Sequence, residues 1–263
     1  MSCRATTPVR LRHRRLVPLV FLVLLVGVHA AAEDPTARGL GLTYRSVFVP
    51  GSGSAHMLTV DLKQAELRVL DARDLQASAL TAQQFLERTD ATAVFNGPFF
   101  DVDGSPMGLL VVDGERRGAL RPVDWGVFSI DAQGASIVHT ADWVEREGVL
   151  QALQVGPRLV VAGEALALKR QAARRTALCV LPDGRLNVLV AGSPLWAGDL
   201  AGFLKDQGCT DALNLDGGPS SQLYLSRAGI VVDEPGSSPV PVAVGIFVKG
   251  DAEIVRPRSC SCG

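Results

Sequence analysis

The stretch that decides the fold is an apolar run that reaches a carboxylate, breaks at two glycines and a proline, and then resumes: Ala212-Leu213-Asn214-Leu215-Asp216-Gly217-Gly218-Pro219-Ser220-Ser221-Gln222-Leu223. This pattern predicts a strand, a tight turn and a second strand. Glycine permits positive φ and a close approach of the backbone, so the turn is a candidate anion-binding concavity with Asp216 and Ser220 beside it. A plain β-hairpin turn with surface serines fits the same residues.

Residues 1–30 predict an export signal. Five arginines precede or begin the apolar run from Leu16 to Val28, and Ala30-Ala31-Ala32 follows it. A basic region, an apolar segment too short to span a bilayer comfortably and small residues after it are typical of a secretory signal peptide. We expect cleavage after Ala30 and a secreted or periplasmic protein. An uncleaved membrane anchor is the alternative.

The charge of the mature chain argues against nucleic acid as a partner. Taking the five arginines of the signal from 26 basic residues leaves 21, against 27 acidic residues. Binding to a phosphate backbone needs a basic surface, which this balance does not supply. About 230 residues remain for one large or two small domains. No second long apolar run follows, so we expect no stable membrane span once the signal is removed.

Four cysteines remain after removal of the signal: Cys179, Cys209, Cys260 and Cys262. Four cysteines allow three pairings, and the spacing does not choose among them. Cys179 lies in an apolar, strand-like run and Cys209 follows a predicted helix, so buried free thiols and a disulfide are equally good interpretations. The Cys260-Ser261-Cys262 tail resembles neither a zinc site nor a redox motif.

The mature chain predicts one domain of the α+β class, with a mixed, mostly antiparallel β-sheet and a few flanking helices. We expect a flexible leader at 31–41, the domain at 42–250 and a polar tail at 251–263. Helices are predicted from Leu80 to Arg88, with Ser78 or Thr81 as N-cap, and from about Asp199 to Gln207. Strands are predicted at 42–49, 57–62, 67–70, 91–95, 109–112, 159–162, 175–181, 186–190 and 240–248.

Several familiar chemistries fit the motifs poorly. Asp101-x-Asp103-Gly104 is half of a calcium loop, but the remaining ligands are missing. Ser220 lacks the second glycine of a nucleophile elbow, because Gln222 stands there. Neither His56 nor His139 lies in a recognisable triad motif. The Arg174-Arg175-Thr176 segment at the mouth of a strand offers planar donors for phosphate or carboxylate, but taken alone it is better explained as a solvated basic turn.

Read in order from about Val94 to Val248, these segments resemble the phosphodiester glycosidase family, which includes bacterial exported proteins, some of them exopolysaccharide-related. The resemblance rests on the Asn96-Gly97 turn with Phe99-Phe100-Asp101, the Pro106-x-Gly108 segment, Gln154 to Pro157, Arg175-Thr176-Ala177 with the Asp183-Gly184 turn, and Asn214-Leu215-Asp216-Gly217-Gly218 with Ser220. Two departures are Pro98 and Pro219, which stand where many members carry a further glycine. Proline removes an N–H donor at each position.

The resemblance implies a hydrolase that converts a sugar 1-phosphodiester, such as an N-acetylglucosamine-1-phospho diester, to free sugar and a phosphomonoester. It implies Asp216 as general base or nucleophile, Asp101 as second carboxylate, and Arg175 with the Gly217 and Gly218 amides as phosphate contacts. No cofactor is expected, with a divalent metal left open. The alternatives are a non-catalytic module that binds a carbohydrate or cell-wall polymer, and a metal-dependent phosphodiesterase. The remaining substrate contacts implied are Asn96, Gly97, Gly108, Gly156, Thr176, Ser220 and Ser221.

Overall fold

Seventeen β-strands and two α-helices form the part of the chain that the computed structural model describes, residues 41–51 and 53–249. The predicted signal peptide, the leader up to residue 40 and the polar tail with Cys260 and Cys262 lie outside these residues. The strands are β1 Leu42–Val49, β2 Gly53–Val60, β3 Ala65–Asp71, β4 Ala93–Asn96, β5 Leu110–Val112, β6 Glu115–Gly118, β7 Gly126–Asp131, β8 Gly134–His139, β9 Gln151–Val155, β10 Arg158–Val161, β11 Glu164–Ala165, β12 Ala172–Val180, β13 Leu186–Trp196, β14 Asp211–Asn214, β15 Leu223–Arg227, β16 Ile230–Glu234 and β17 Val242–Val248.

These strands form three sheets. The largest has seven strands in the order β1-β2-β13-β12-β14-β10-β11. A five-stranded sheet has the order β16-β15-β4-β17-β3, and a second five-stranded sheet has the order β6-β5-β9-β7-β8. Each strand pairing in the described part of the chain is antiparallel. The predicted antiparallel pairing is therefore confirmed. The prediction that the sheet also contains parallel strands is wrong for these residues, and the protein is mainly β.

The main core lies where side chains from all three sheets meet. Apolar residues from β2, β12 and β13 of the largest sheet pack with residues from β4, β15 and β17 and from β5, β7 and β9. Alternate residues of a strand point to opposite faces. The residues on the outer face of the largest sheet, such as Ala177 and Leu189, accordingly form a second cluster with α2.

Both helices occur where the sequence predicts them, with shifted ends. Helix α1 spans Ala82–Glu87, and Thr81 caps it through a reciprocal pair of hydrogen bonds with Gln84. This capping box satisfies two amides that a helix start leaves unpaired. Helix α2 spans Ala197–Asp206 and so begins two residues before Asp199, which lies in its first turn. Leu200 and Leu204 of α2 are buried against the largest sheet.

A disulfide joins Cys179 of β12 to Cys209, which precedes β14. Both residues are buried in the cluster beneath α2. The structure thus selects the disulfide over the free thiols that the sequence left equally open. The bond fastens two neighbouring strands, β12 and β14, of which the second leads directly into Asp216.

Removal of this disulfide is expected to destabilise the fold. The bond closes a chain segment with a sequence separation of 30. The loop-closure entropy for a segment of that length corresponds to about 3–4 kcal/mol. We expect the double variant Cys179→Ala, Cys209→Ala to lose that much free energy of unfolding in urea titrations under non-reducing conditions. An unchanged denaturation midpoint would show that the cross-link contributes nothing to stability.

Candidate active site

The Asp216 turn links two different sheets. Strand β14 belongs to the seven-stranded sheet and β15 to a five-stranded sheet, so residues 215–222 cross between them. The interpretation of this stretch as a plain hairpin is therefore wrong, although its strand, turn and strand are present. Within the crossing, Gly218–Ser220 forms one turn of 3₁₀ helix.

Both glycines of the turn are required by the backbone. Gly218 has φ of 60°, in the left-handed region. A Cβ on Gly217 would lie 2.8 Å from the carbonyl oxygen of Arg174, closer than real Cβ contacts allow. Pro219 sits in the first turn of the 3₁₀ helix, where a missing N–H is tolerated because such amides have no partner within the helix. Its departure from the family pattern is therefore compatible with the local backbone.

Asp216 is a partly buried carboxyl group at the centre of the turn. Burial raises the pKa of Asp216, and hydrogen bonds from the Ser220 side chain and the Gly217 amide oppose the shift. The Gly217 amide donates to Asp216 Oδ1 at 2.8 Å. Asp216 and Ser220 thus lie together, as predicted, but the Gly217 amide, predicted as a phosphate contact, is directed at the Asp216 carboxylate.

Asn96 supports the turn through side-chain hydrogen bonds. It is fully buried at the end of β4. Its Nδ2 donates to the main-chain oxygen of Asp216 at 2.7 Å, and its Oδ1 accepts from Thr176 Oγ1 at 2.6 Å and from the Gln222 amide at 3.2 Å. Asn96 and Thr176, both predicted as substrate contacts, therefore have their side chains occupied by the protein itself.

Three further predicted glycines serve close packing. A Cβ on Gly97 would lie 2.8 Å from the oxygen of Val242, and one on Gly108 would lie 2.8 Å from Gln154 Oε1. A Cβ on Gly156 would lie 2.8 Å from the Trp125 ring. Gly97 also accepts the Asp216 amide through its oxygen at 3.2 Å, so it supports the turn directly.

The hydrogen bonds of the Arg175 side chain do not reach the Asp216 turn. It pairs across the sheet with Ala191, and Ala191 lies with Ala177 in the cluster beneath α2. Its guanidinium donates to the main-chain oxygens of Gln171 at 2.6 Å and Leu195 at 3.5 Å. Burial lowers the pKa of Arg175. These contacts connect neighbouring strand ends and do not support the phosphate role predicted for Arg175.

Asp101 lies in an exposed turn of its own. Its Oδ1 accepts the amide of Val102 at 2.8 Å, and its main-chain oxygen accepts the amide of Gly104. A bridge between Phe100 and Pro106 closes the loop. These contacts all lie within the loop, so the structure supplies no link between Asp101 and Asp216. The second-carboxylate role of Asp101 stays a prediction.

Two serines in the turn differ in their surroundings. Ser220 is buried and bonds to the Asp216 carboxylate. The side chain of Ser221 is fully buried and its Oγ has no hydrogen-bond partner. Gln222 fixes the far end of the turn, because its Nε2 donates to the main-chain oxygens of Ser220 and Ser238, each at 3.1 Å, and its Oε1 accepts the Ala82 amide at 2.6 Å.

The sequence did not predict that Gln222 anchors the end of the turn. It also did not predict an ion pair beside the turn, between Arg174 and Glu234. Arg174 Nη2 donates to Glu234 Oε1 at 2.8 Å, and Glu234 Oε2 lies 3.4 Å from His56 Nε2. The two adjacent arginines at 174 and 175 are a sequence signal that could have indicated Arg174. Glu234 carried no sequence signal, because nothing around it forms a motif.

One cavity in the described part of the chain lies away from Asp216. It has a volume of about 780 Å³ and is lined by Arg68, Asp113 and the Asp183-Gly184 turn, among others. That turn follows the end of β12 opposite to the end that carries Arg174, and part of the charged lining is paired, as in Arg68 with Asp113 at 3.1 Å. The cavity and the cluster of polar groups around Asp216 are therefore at different places, and we assign the candidate active site to the Asp216 turn.

The described residues contain neither a metal-binding cluster nor a membrane-spanning helix. Among residues 41–51 and 53–249, no group of three or more His, Cys, Asp and Glu side chains is arranged to hold a metal ion. In the same part of the chain, neither helix has the length and apolar character needed to cross a bilayer.

The fold and the Asp216 turn together define a class of protein. The model of the phosphodiester glycosidase family matches residues 89–249, more than half of the chain and including each site residue discussed above except His56. The chain belongs to the phosphodiester glycosidase family, which is a family of hydrolases. None of the curated proteins matches the sequence.

Solved structures share the fold. The catalytic domain of zebrafish N-acetylglucosamine-1-phosphodiester alpha-N-acetylglucosaminidase, auto-inhibited by its pro-peptide, has a TM-score of 0.62 and 19% identity over 80% of this chain and 83% of that one. A hypothetical protein from Synechocystis has a TM-score of 0.56 and 16% identity over 80% of this chain, which spans only 62% of that protein. A protein from Burkholderia pseudomallei that is named as exported has a TM-score of 0.52 and 16% identity over 78% and 74%.

Proposed function

We propose that this protein is an exported glycosidase that hydrolyses a sugar 1-phosphodiester to free sugar and a phosphomonoester. The observation that carries the proposal is the half-buried Asp216 carboxyl, held by Gly217 and Ser220 in the family's glycine turn. Family membership supports a glycosidase-like function. The activity that the name of the zebrafish relative states supports N-acetylglucosamine-1-phosphodiesters as the first substrates to try. A bacterial relative named as exported supports export.

Asp216 supplies the base or nucleophile in this proposal. Burial raises its pKa, which makes the ionised carboxylate a stronger base than an exposed aspartate. In the general-base route, Asp216 takes a proton from water while the water oxygen bonds to the anomeric carbon. The bond from that carbon to the phosphate oxygen breaks, and its electron pair leaves with the phosphate. Most glycosidases need a second carboxyl group as acid, but a phosphomonoester is a weak base and departs with little protonation.

The rest of the turn positions Asp216. Asn96 fixes its main-chain oxygen and Ser220 fixes its carboxylate, while the Gly217 amide completes the set. The amides of Ser220 and Ser221 are already bonded to the oxygens of Gly217 and Gly218, so of the phosphate contacts that the resemblance implies in the turn we keep only the Gly218 amide. Asp101 and Arg175 keep their predicted roles only as hypotheses, since the side-chain hydrogen bonds of both residues are made outside the turn.

Hydrolysis in ¹⁸O-labelled water tests the proposal. With an N-acetylglucosamine-1-phospho diester as substrate, we expect the label in the sugar, because water attacks carbon. Label in the phosphate would instead indicate a metal-dependent phosphodiesterase, and loss of that activity in EDTA would support that conclusion. Absence of turnover with retained binding of the diester would indicate a carbohydrate-binding module.

A further inference from the structure

Beside the Asp216 turn, one polar bridge joins the same two sheets that the turn connects. Glu234 ends β16, an edge strand of a five-stranded sheet. Its partners Arg174 and His56 lie on β12 and β2 of the seven-stranded sheet, at 2.8 Å and 3.4 Å. Tyr44 Oη lies 3.1 Å from His56 Nδ1 and extends the bridge along that sheet.

Arg174 contacts the glycine turn directly through its main chain and indirectly through its side chain. Its main-chain oxygen packs against Gly217, leaving no room there for a side chain. Its Nη2 donates to the oxygen of Pro235 at 2.8 Å, immediately after Glu234. Pro235 leads into the loop whose Ser237 and Ser238 amides donate to the oxygen of Pro219 at 2.8 Å and 3.2 Å.

The bridge is shielded from water. The side chains of Arg174 and Glu234 are 17% and 24% exposed, and Arg174 Nε is buried without a hydrogen-bond partner. Loss of one partner from such a pair costs more than loss of an exposed ion pair, because the remaining charge stays poorly solvated. The buried Arg174 Nε–H without a hydrogen-bond partner also lowers the stability of the fold.

The backbone makes space for the Glu234 carboxylate at Gly192. A Cβ on Gly192 would overlap both carboxylate oxygens of Glu234. Gly192 does not have positive φ, so alanine can adopt its backbone conformation. A single methyl group at 192 would therefore displace the carboxylate without changing any charge.

We infer that Arg174 and Glu234, with Pro235, form a latch that holds Gly217 and Pro219 in register and so positions the Asp216 carboxyl. Arg174 is a positioning residue in this inference, and it takes over from Arg175 as the functional arginine of the segment. The inference rests on the proposed function in so far as positioning Asp216 matters for turnover. The latch itself is a conformational link between two sheets and can be measured without turnover.

The test compares Gly192→Ala with Gly198→Ala. Gly198 lies in α2 with open space around its Cα, so its variant is a matched control. We expect Gly192→Ala to lower kcat about 10–100-fold with little change in KM, because a displacement of about 1 Å at a reacting group has effects of that size. We also expect shifted amide resonances of Gly217 and Gly218 in ¹⁵N-labelled protein. Gly198→Ala should change neither.

A second pair of variants guards against a purely steric effect. Arg174→Gln removes the ion pair, whereas Arg185→Gln removes the exposed pair of Arg185 with Asp183 at the remote end of the sheet. Arg174→Gln should reproduce the Gly192→Ala result and Arg185→Gln should not. Unchanged Gly217 and Gly218 resonances in both latch variants would overturn the inference. If the wild type turns over no diester, the proposed function fails, and the resonances alone decide the latch.

Discussion

Replacing Asp216 with asparagine is expected to lower kcat by about 10²–10⁴-fold, the range that removal of a general base produces. Asparagine keeps the size of the side chain and an oxygen that accepts the Gly217 amide, but it cannot take a proton. The fold should remain at least as stable as the wild type at neutral pH. The reason lies in the raised pKa of Asp216, whose first cause is burial of the carboxylate.

The sign of the pH dependence follows from that shift. A carboxyl group whose pKa is raised by folding does not lower the free energy of unfolding at a pH below the ordinary aspartate pKa of about 3.9. The wild type loses stability as the pH rises from that value through the raised pKa of Asp216, because the folded state disfavours the ionised form. Asp216→Asn removes the cost, so its midpoint of thermal unfolding should equal or exceed that of the wild type at pH 7.

Asp183→Asn is the matched control for this variant. Asp183 is an exposed aspartate in a turn and pairs only with Arg185 and its own loop. It should retain full kcat and wild-type stability. An Asp216→Asn protein that turns over the diester would contradict the assignment of Asp216, and one that unfolds would show that the carboxylate is structural.

The sequence predicts the local structure of the site better than its tertiary arrangement. The apolar run before Asp216 and the alternating run after it do form strands, because hydrophobic periodicity is a local property. Their assignment to two different sheets depends on which distant strands they pair with. Strand β14 pairs with β12 and β10, whereas β15 pairs with β4 and β16. No local pattern specifies those partners.

The two arginines of β12 show the same limit at single-residue scale. The register of β12 against β13 shifts between Ala173 and Arg175. The irregularity lies in β13, and along β12 neighbouring side chains still point to opposite faces of the sheet. Arg174 bonds to Glu234, and Arg175 lies on the face that Ala177 shares with the cluster beneath α2. The local sequence does not specify which of the two arginines takes which face. The resemblance to family motifs points to this segment, and our inference moves the functional role from Arg175 to Arg174.

Asn96→Asp is expected to destabilise the fold in a pH-dependent way. Asn96 is fully buried, and its Nδ2 donates to the main-chain oxygen of Asp216. A protonated aspartic acid can replace that donor, but an ionised one cannot, and its charge would lie in a site without water. Folding therefore raises the pKa of the new carboxyl. Stability should be close to wild type near pH 4 and fall as the pH rises, by about 1.4 kcal/mol per unit until the folded-state pKa is passed.

Asn96→Ala separates this charge effect from the loss of hydrogen bonds. Alanine leaves Thr176 Oγ1 and the Gln222 amide without their partner at every pH. Each unsatisfied buried group costs about 1–3 kcal/mol, so the loss should be large and independent of pH. Urea denaturation of both variants between pH 4 and 8 provides the measurement. Parallel pH profiles for Asn96→Asp and Asn96→Ala would show that water reaches position 96, and Asn96 would then be available to a substrate, as the family resemblance implied.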